Sequence, residues 1–174
     1  MDKDAEIGLD FVIDKLTNSI ENVITGDSFQ TEISILQNSD LKSLTKKNGW
    51  LFYWSEEFKN PVRDIYKLTI TGNSKIIQGL ISLEVKSDHV YMHLVENAPF
   101  NKGQTKVYAG VAGNLVAYAC KLSFQRGHDG NVSFLSKLDD KSIVEWFLNE
   151  CCFISEGLYY RLKDKGDLFG KLDF

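Results

Sequence analysis

The run Tyr108-Ala109-Gly110-Val111-Ala112-Gly113 places four small residues at the mouth of what the apolar spacing beyond it predicts to be a long helix. A helix leaves its first backbone N–H groups without intrahelical partners and carries the positive end of its dipole there. Small residues at that point leave those donors open to an anion. Asn114 completes the first turn, and Lys102 and Lys106 bring positive charge into the preceding loop. The chemistry implied is the binding of a phosphate or diphosphate group.

Spacing separates the ways such a group can be held. A P-loop needs Lys and then Ser or Thr directly after its last glycine, whereas Gly113 is followed by Asn114 and Leu115. A dinucleotide fingerprint needs three glycines immediately after a strand, but only Gly110 and Gly113 match, and about fifteen residues separate Val95 from Gly110. Other reactive side chains carry less. His89 and His93, four apart on one strand, stand about 13 Å from one another, too far to share a metal, so no metal site is expected. Cys120 falls at the centre of the helix, where a small buried thiol suits the core.

The elements that must position this loop follow from periodicity and turn residues. From Asp4 to Ile24 the residues Leu9, Val12, Ile13, Leu16, Ile20, Val23 and Ile24 recur at helical spacing, which predicts an amphipathic helix ended by Gly26-Asp27-Ser28. Glu32 to Ile35 alternates as a strand does, and Ser39 or Asp40 is placed to cap a short helix through Thr45. Trp50 to Trp54 is aromatic and β-prone, which predicts a short strand before the polar stretch that contains Pro61. Ile65 to Thr71, Lys75 to Val85 and Val90 to Val95 then read as three antiparallel strands joined by Gly72-Asn73-Ser74 and Ser87-Asp88.

In the helix after the glycines, Val111, Leu115, Ala119 and Leu122 form an apolar stripe, while Asn114, Lys121 and Gln125 are expected to face away. Gly127 and Gly130 end that helix, a strand from Asn131 to Ser136 comes next, and a final helix capped by Asp139 or Asp140 leads to a strand at Leu158 to Leu162. A strand meander continued by a helix and a further strand is an α/β sandwich, of the α+β kind with a mixed, mainly antiparallel sheet and helices on both faces, and not a doubly wound fold. The 174 residues, 43% hydrophobic, read as one domain.

A net charge of −4 argues against a nucleic-acid-binding surface. No apolar run approaches the ~18 to 20 residues of a membrane span, and the acidic, amphipathic start is unlike a signal peptide. A cytoplasmic protein with Cys120, Cys151 and Cys152 reduced, monomeric or homodimeric, is the expectation.

The glycine region also resembles the GNAT superfamily of acyl-CoA-dependent N-acyltransferases, whose signature is Gln or Arg, two variable residues, Gly, any residue, then Gly or Ala at a helix start. Val107, Gly110 and Ala112 occupy those positions, so the two small residues match and the leading polar residue does not. The phrases IIQGLISL, MHLVENAPFN, KVYAGVAGNLVAYACKLSF and GNVSFLSK look like a subgroup of bacterial GNAT-like proteins of unassigned substrate. The resemblance implies acetyl-CoA as co-substrate and a primary amine, of a small molecule or a protein, as acceptor. It implies that Leu94, Val95 and Glu96 hold the pantetheine arm, with Val107, Tyr108, Ala109, Gly110, Val111, Ala112, Gly113 and Asn114 around the diphosphate.

Glu96 stands where the family often places a general base, and it is the one acidic residue between Asp88 and Asp129. The positions aligned with the family's usual Tyr acid carry Trp146 and Phe147, which leaves Tyr108 as the substitute. The same departures, at Val107 and at the missing Tyr, allow the alternative of a CoA-binding or interaction module without catalysis.

Overall fold

The computed structural model describes residues 19–134. Its centre is one seven-stranded sheet in the order β6-β1-β2-β3-β4-β5-β7. The strands are β1 (Ser19–Asn22), β2 (Ser28–Ile35), β3 (Asp64–Ile70), β4 (Asn73–Val85), β5 (Val90–Asn97), β6 (Tyr108–Ala109) and β7 (Val132–Phe134). Every neighbouring pair is antiparallel except β5 and β7, which run parallel with Val90, Tyr91 and Met92 opposite Val132, Ser133 and Phe134. A parallel pair needs a crossover long enough to return the chain to the same end. Helix α2 (Val111–Gln125) supplies it; the short helix α1, nearer the N-terminus, spans Trp54–Phe58.

The meander β3-β4-β5 forms as the turn residues dictate, with Gly72 taking a left-handed φ of 82° between β3 and β4. β4 lies inside the sheet and is buried on both faces. Ile81 and Leu83 meet Leu115, Val116 and Ala119 of α2, while Leu80 and Ile77 meet Trp50, Trp54, Leu36 and Leu44 on the opposite face. α2 therefore covers one face, and α1 with two 3-10 turns (Asn38–Ser43 and Lys46–Asn48) covers the other. This is the mixed, mainly antiparallel sandwich with helices on both faces that the pattern of elements predicts. Among the described residues, no helix is long and apolar enough to cross a membrane.

Three expectations are corrected. The helix predicted from Asp4 to Ile24 has its first part outside the described residues, but Ser19–Asn22 is strand β1, not helix. Its residues pair with β2 and β6, and Ile20 is buried against the core that α2 shares, so tertiary pairing overrides a helical spacing that isolated residues support equally. The strand predicted from Trp50 to Trp54 is absent: the N–H groups of Leu51 and Phe52 donate to the carboxylate of Glu96 instead of to a neighbouring strand, and Trp54 opens α1. Asn114 does not face away from the core. It is 1% exposed, and its Nδ2 donates to the carbonyls of Ser19 and Gly110. The helix from Asp139 or Asp140 and the strand Leu158 to Leu162 lie outside the described residues, as does the end of the strand predicted from Asn131 to Ser136.

Candidate functional site

β5 ends at Asn97, Ala98 N–H still donates to the Gln78 carbonyl of β4, and Pro99 then turns the chain into a 3-10 turn, Pro99–Asn101. Asn101 fixes the course of the loop beyond that turn. Buried to 1% exposure, it donates from Nδ2 to the Gln78 carbonyl and to Gln78 Oε1, and accepts the Tyr108 N–H at 3.1 Å. One side chain thus ties the loop's far end to β4 and brings Tyr108 beside the end of β5. β6 adds itself to β1, Phe29 packs edge-on to the Tyr108 ring at 5.6 Å, and Gly110 starts α2.

Gly110 is required there for its backbone and not for space. Its φ is 89°, whereas a Cβ on it meets nothing nearer than Asn114 Nδ2 at 3.6 Å. Asn114 N–H closes the first helical bond onto the Gly110 carbonyl, so the N–H groups of Val111, Ala112 and Gly113 are the leading donors that have no carbonyl within the helix. Asn114 Oδ1 is buried without a hydrogen-bond partner among the described residues.

Gly79 sets how near this helix end comes to β4. A Cβ on it would stand 2.7 Å from Val111 Cγ1 and 3.1 Å from the Glu96 carbonyl oxygen. Only a residue without a side chain lets the first turn of α2 rest on the sheet at the point where β5 ends.

Between these parts lies a cleft of about 430 Å³, lined by Val95, Glu96 and Asn97 of β5, Lys102, Lys106 and Tyr108 of the loop, Gly110 and Ala112 of α2, and Leu51 and Phe52. The structure therefore brings Val95, Glu96, Tyr108, Gly110 and Ala112 of the anticipated site residues to one place. Val111, Gly113 and Asn114 stand in the same helical turn with their side positions in the core, Ala109 lies in β6, and Val107 is exposed beside the cleft. Leu94, on the same face of β5 as Glu96, lies outside the cleft lining and packs against the core beneath α1.

Glu96 is the most constrained group in the cleft. At 4% exposure it accepts four hydrogen bonds: Oε1 from Leu51 N–H at 2.6 Å and Lys102 Nζ at 2.5 Å, Oε2 from Trp54 Nε1 at 2.8 Å and Phe52 N–H at 3.3 Å. A carboxylate offers about four lone-pair directions, and all are in use. Sequence reasoning missed Leu51, Phe52, Trp54 and Asn101 as parts of this site. The four lie 5 to 45 residues from Glu96 in sequence, with no shared spacing. The one available signal was a lone acid at a strand end, which must find donors if it is buried.

Other titratable groups lie apart from the cleft. His93 Nε2 bonds Glu84 at 2.7 Å and His89 Nδ1 bonds Asp88 at 2.6 Å, each with its own carboxylate. Burial pushes the Cys120 thiol up to about 12, which makes it inert. Among the described residues, no group of three or more His, Cys, Asp or Glu could hold a metal ion.

Fold and cleft together define an α/β sandwich with a helix N-terminus beside the end of strand β5. The sequence matches no protein-family model and no curated protein. Among solved structures, the chain is similar to a chimera of the spermidine N-acetyltransferase from Vibrio cholerae, at 18% identity over 74% of this chain and 82% of that one, with a TM-score of 0.49. It is also similar to the spermidine/spermine N-acetyltransferase of the same organism in complex with manganese ions, at 18% identity, 74% and 80% coverage and a TM-score of 0.45. A transcriptional regulator from Bacillus halodurans is similar at 14% identity, 73% and 95% coverage and a TM-score of 0.46. Likeness at this level carries no argument about chemistry.

Proposed function

We propose that the protein is an acyl-CoA-dependent N-acetyltransferase that passes an acetyl group from acetyl-CoA to a primary amine of a small molecule or a protein. The observation that carries this reading is that the start of α2 at Gly110 and Ala112, the loop residues Lys102 and Lys106, and the end of β5 line one cleft. That arrangement fits a diphosphate: the leading N–H groups of a positive helix end open on a cleft that basic loop residues also line. The N–H groups of Val111 to Gly113 are the proposed cradle for it, since Asn114 N–H is already bonded to the Gly110 carbonyl, and the main-chain groups of Leu94 to Glu96 that do not pair with β4 are the proposed partners of the pantetheine amides.

The co-substrate brings an activated thioester; the chain's own residues orient it and move protons. Glu96 is the proposed base. To accept a proton it must first release a donor, and Lys102 is the donor on a rotatable chain, its side chain 30% exposed. Tyr108, half-buried at the cleft wall, is the proposed source of the proton that the leaving thiolate takes. Calorimetry with CoA tests the site: binding is expected for the parent and loss of binding for Gly110→Val, whose β-branched side chain opposes the left-handed φ. Equal affinity in that variant refutes the placement.

A second reading, a module that binds CoA or a partner without catalysis, is favoured by the saturation of Glu96 and by Val107 at the position of the signature's polar residue. Turnover of acetyl-CoA across a panel of amines separates the two.

A further inference from the structure

The cleft already contains an amine. Lys102 Nζ lies 2.5 Å from Glu96 Oε1, and both residues line the same cavity as Gly110 and Ala112. Of the four donors to Glu96, two are backbone N–H groups and one is the indole of Trp54, which is wholly buried. Those three are fixed in place and none is a nucleophile. Lys102 differs on both counts: its chain rotates, and its nitrogen becomes nucleophilic once it gives up a proton. The group nearest to take that proton is the carboxylate it already touches. The backbone beneath it is anchored, because the preceding residue, Asn101, is pinned to Gln78.

We propose that Lys102 is an acylation site of this protein, its Nζ taking an acetyl group in cis from a thioester held in the same cleft. The inference rests on the acetyltransferase reading above. One proton passes from the Lys102 ammonium to Glu96 Oε1. The neutral amine then attacks the thioester carbonyl carbon, the N–C bond forms as the C–S bond breaks, and the electron pair leaves with sulfur. The thiolate takes a second proton from the nitrogen, leaving an amide on Lys102 and free CoA thiol, and Glu96 returns its proton to water. An amide nitrogen carries no positive charge. Acylated Lys102 therefore no longer pairs with Glu96 as an ion, and Oε1 is opened to an incoming ammonium.

Lys59 provides an internal control. It pairs with Glu56 at 2.8 Å, but both side chains are about two-thirds exposed and outside any part of the cleft. The full chain is incubated with acetyl-CoA, with and without excess CoA, and peptide masses are followed over time. Proximity and a positioned base each accelerate a reaction by two or more decades, so Lys102 is expected to be acetylated at least about a hundredfold faster than Lys59. The rate constant is expected to be unchanged when the protein is diluted, and excess CoA should slow Lys102 but not Lys59. Calorimetry with CoA alone accompanies the experiment. If CoA binds and Lys102 is modified no faster than Lys59, or is insensitive to excess CoA, or slows on dilution, this inference fails and the acetyltransferase reading stands. If CoA does not bind, both fail.

Discussion

Replacing Glu96 by Gln is the sharpest test of how this site is built. The change keeps one oxygen and turns the other into an NH2 group, so two of the four donors lose their acceptor whichever way the amide is turned. The less costly orientation keeps the oxygen on Trp54 Nε1 and Phe52 N–H and sets NH2 against Leu51 N–H and Lys102, whose rotatable side chain, 30% exposed, can swing to solvent. Trp54 is 0% exposed, so the opposite orientation would leave its Nε1 with no partner at all.

A buried donor left unsatisfied costs about 1–3 kcal/mol. The Leu51 N–H, bonded at 2.6 Å, is the fixed donor that loses its acceptor, and Lys102 exchanges a charged bond for water, for a total of about 2 kcal/mol. For a chain of this size that corresponds to a melting temperature roughly 4–8 °C lower, read by thermal melts and urea titration. A loss below about 0.5 kcal/mol for Glu96→Gln, the level of an ordinary surface change, refutes the claim that this carboxylate holds the 51–54 segment. Transfer by Glu96→Gln, measured well below its melting point, should fall by about a hundredfold or more with CoA affinity retained. Near-parental rates on a strongly basic amine at neutral pH end the assignment of Glu96 as base.

Gly79→Ala places a methyl 2.7 Å from Val111 Cγ1 and should cost about 1–3 kcal/mol by forcing α2 off the sheet; an unchanged urea midpoint contradicts the close approach. Cys120, pushed up to about 12 by burial, should escape iodoacetamide in the native protein and react only in urea, as peptide masses will record; rapid native labelling refutes its burial. Burial pushes His93 below its ordinary 6.5 and outweighs the hydrogen bond to Glu84, which raises it, while Arg63 lowers it further. A neutral ring donating from Nε2 to Glu84 meets both conditions. The unfolded chain then binds that proton more readily than the folded one, so this contribution to stability is full above about pH 6.5 and is lost as the pH falls through and below that value. Urea midpoints should drop between about pH 7.5 and 5.5, and the drop should flatten in His93→Gln; equal slopes in parent and variant exclude His93 as its source.

The sequence by itself determined the parts of this protein whose signal is local. Alternation and the Gly72 turn specify the β3-β4-β5 meander, because a strand period of two and a left-handed turn residue act over a few neighbours. The small-residue run specifies where α2 begins, since Gly110 alone there takes a φ of 89° without strain. The lone acid at the end of β5 marked the place where chemistry was to be sought, though not its surroundings.

Tertiary structure decided everything that depends on distant partners. Ser19–Asn22 is a strand because β2 and β6 offer it hydrogen bonds on both sides, which helical spacing in the segment does not register. Leu51 and Phe52 are not a strand because a carboxylate about 45 residues away takes their N–H groups. Asn114 turns inward to hold the Ser19 carbonyl, 95 residues before it in the chain. A buried polar group must find a partner wherever the fold supplies one. The identity of that partner is fixed by which elements meet, and no window of sequence contains it.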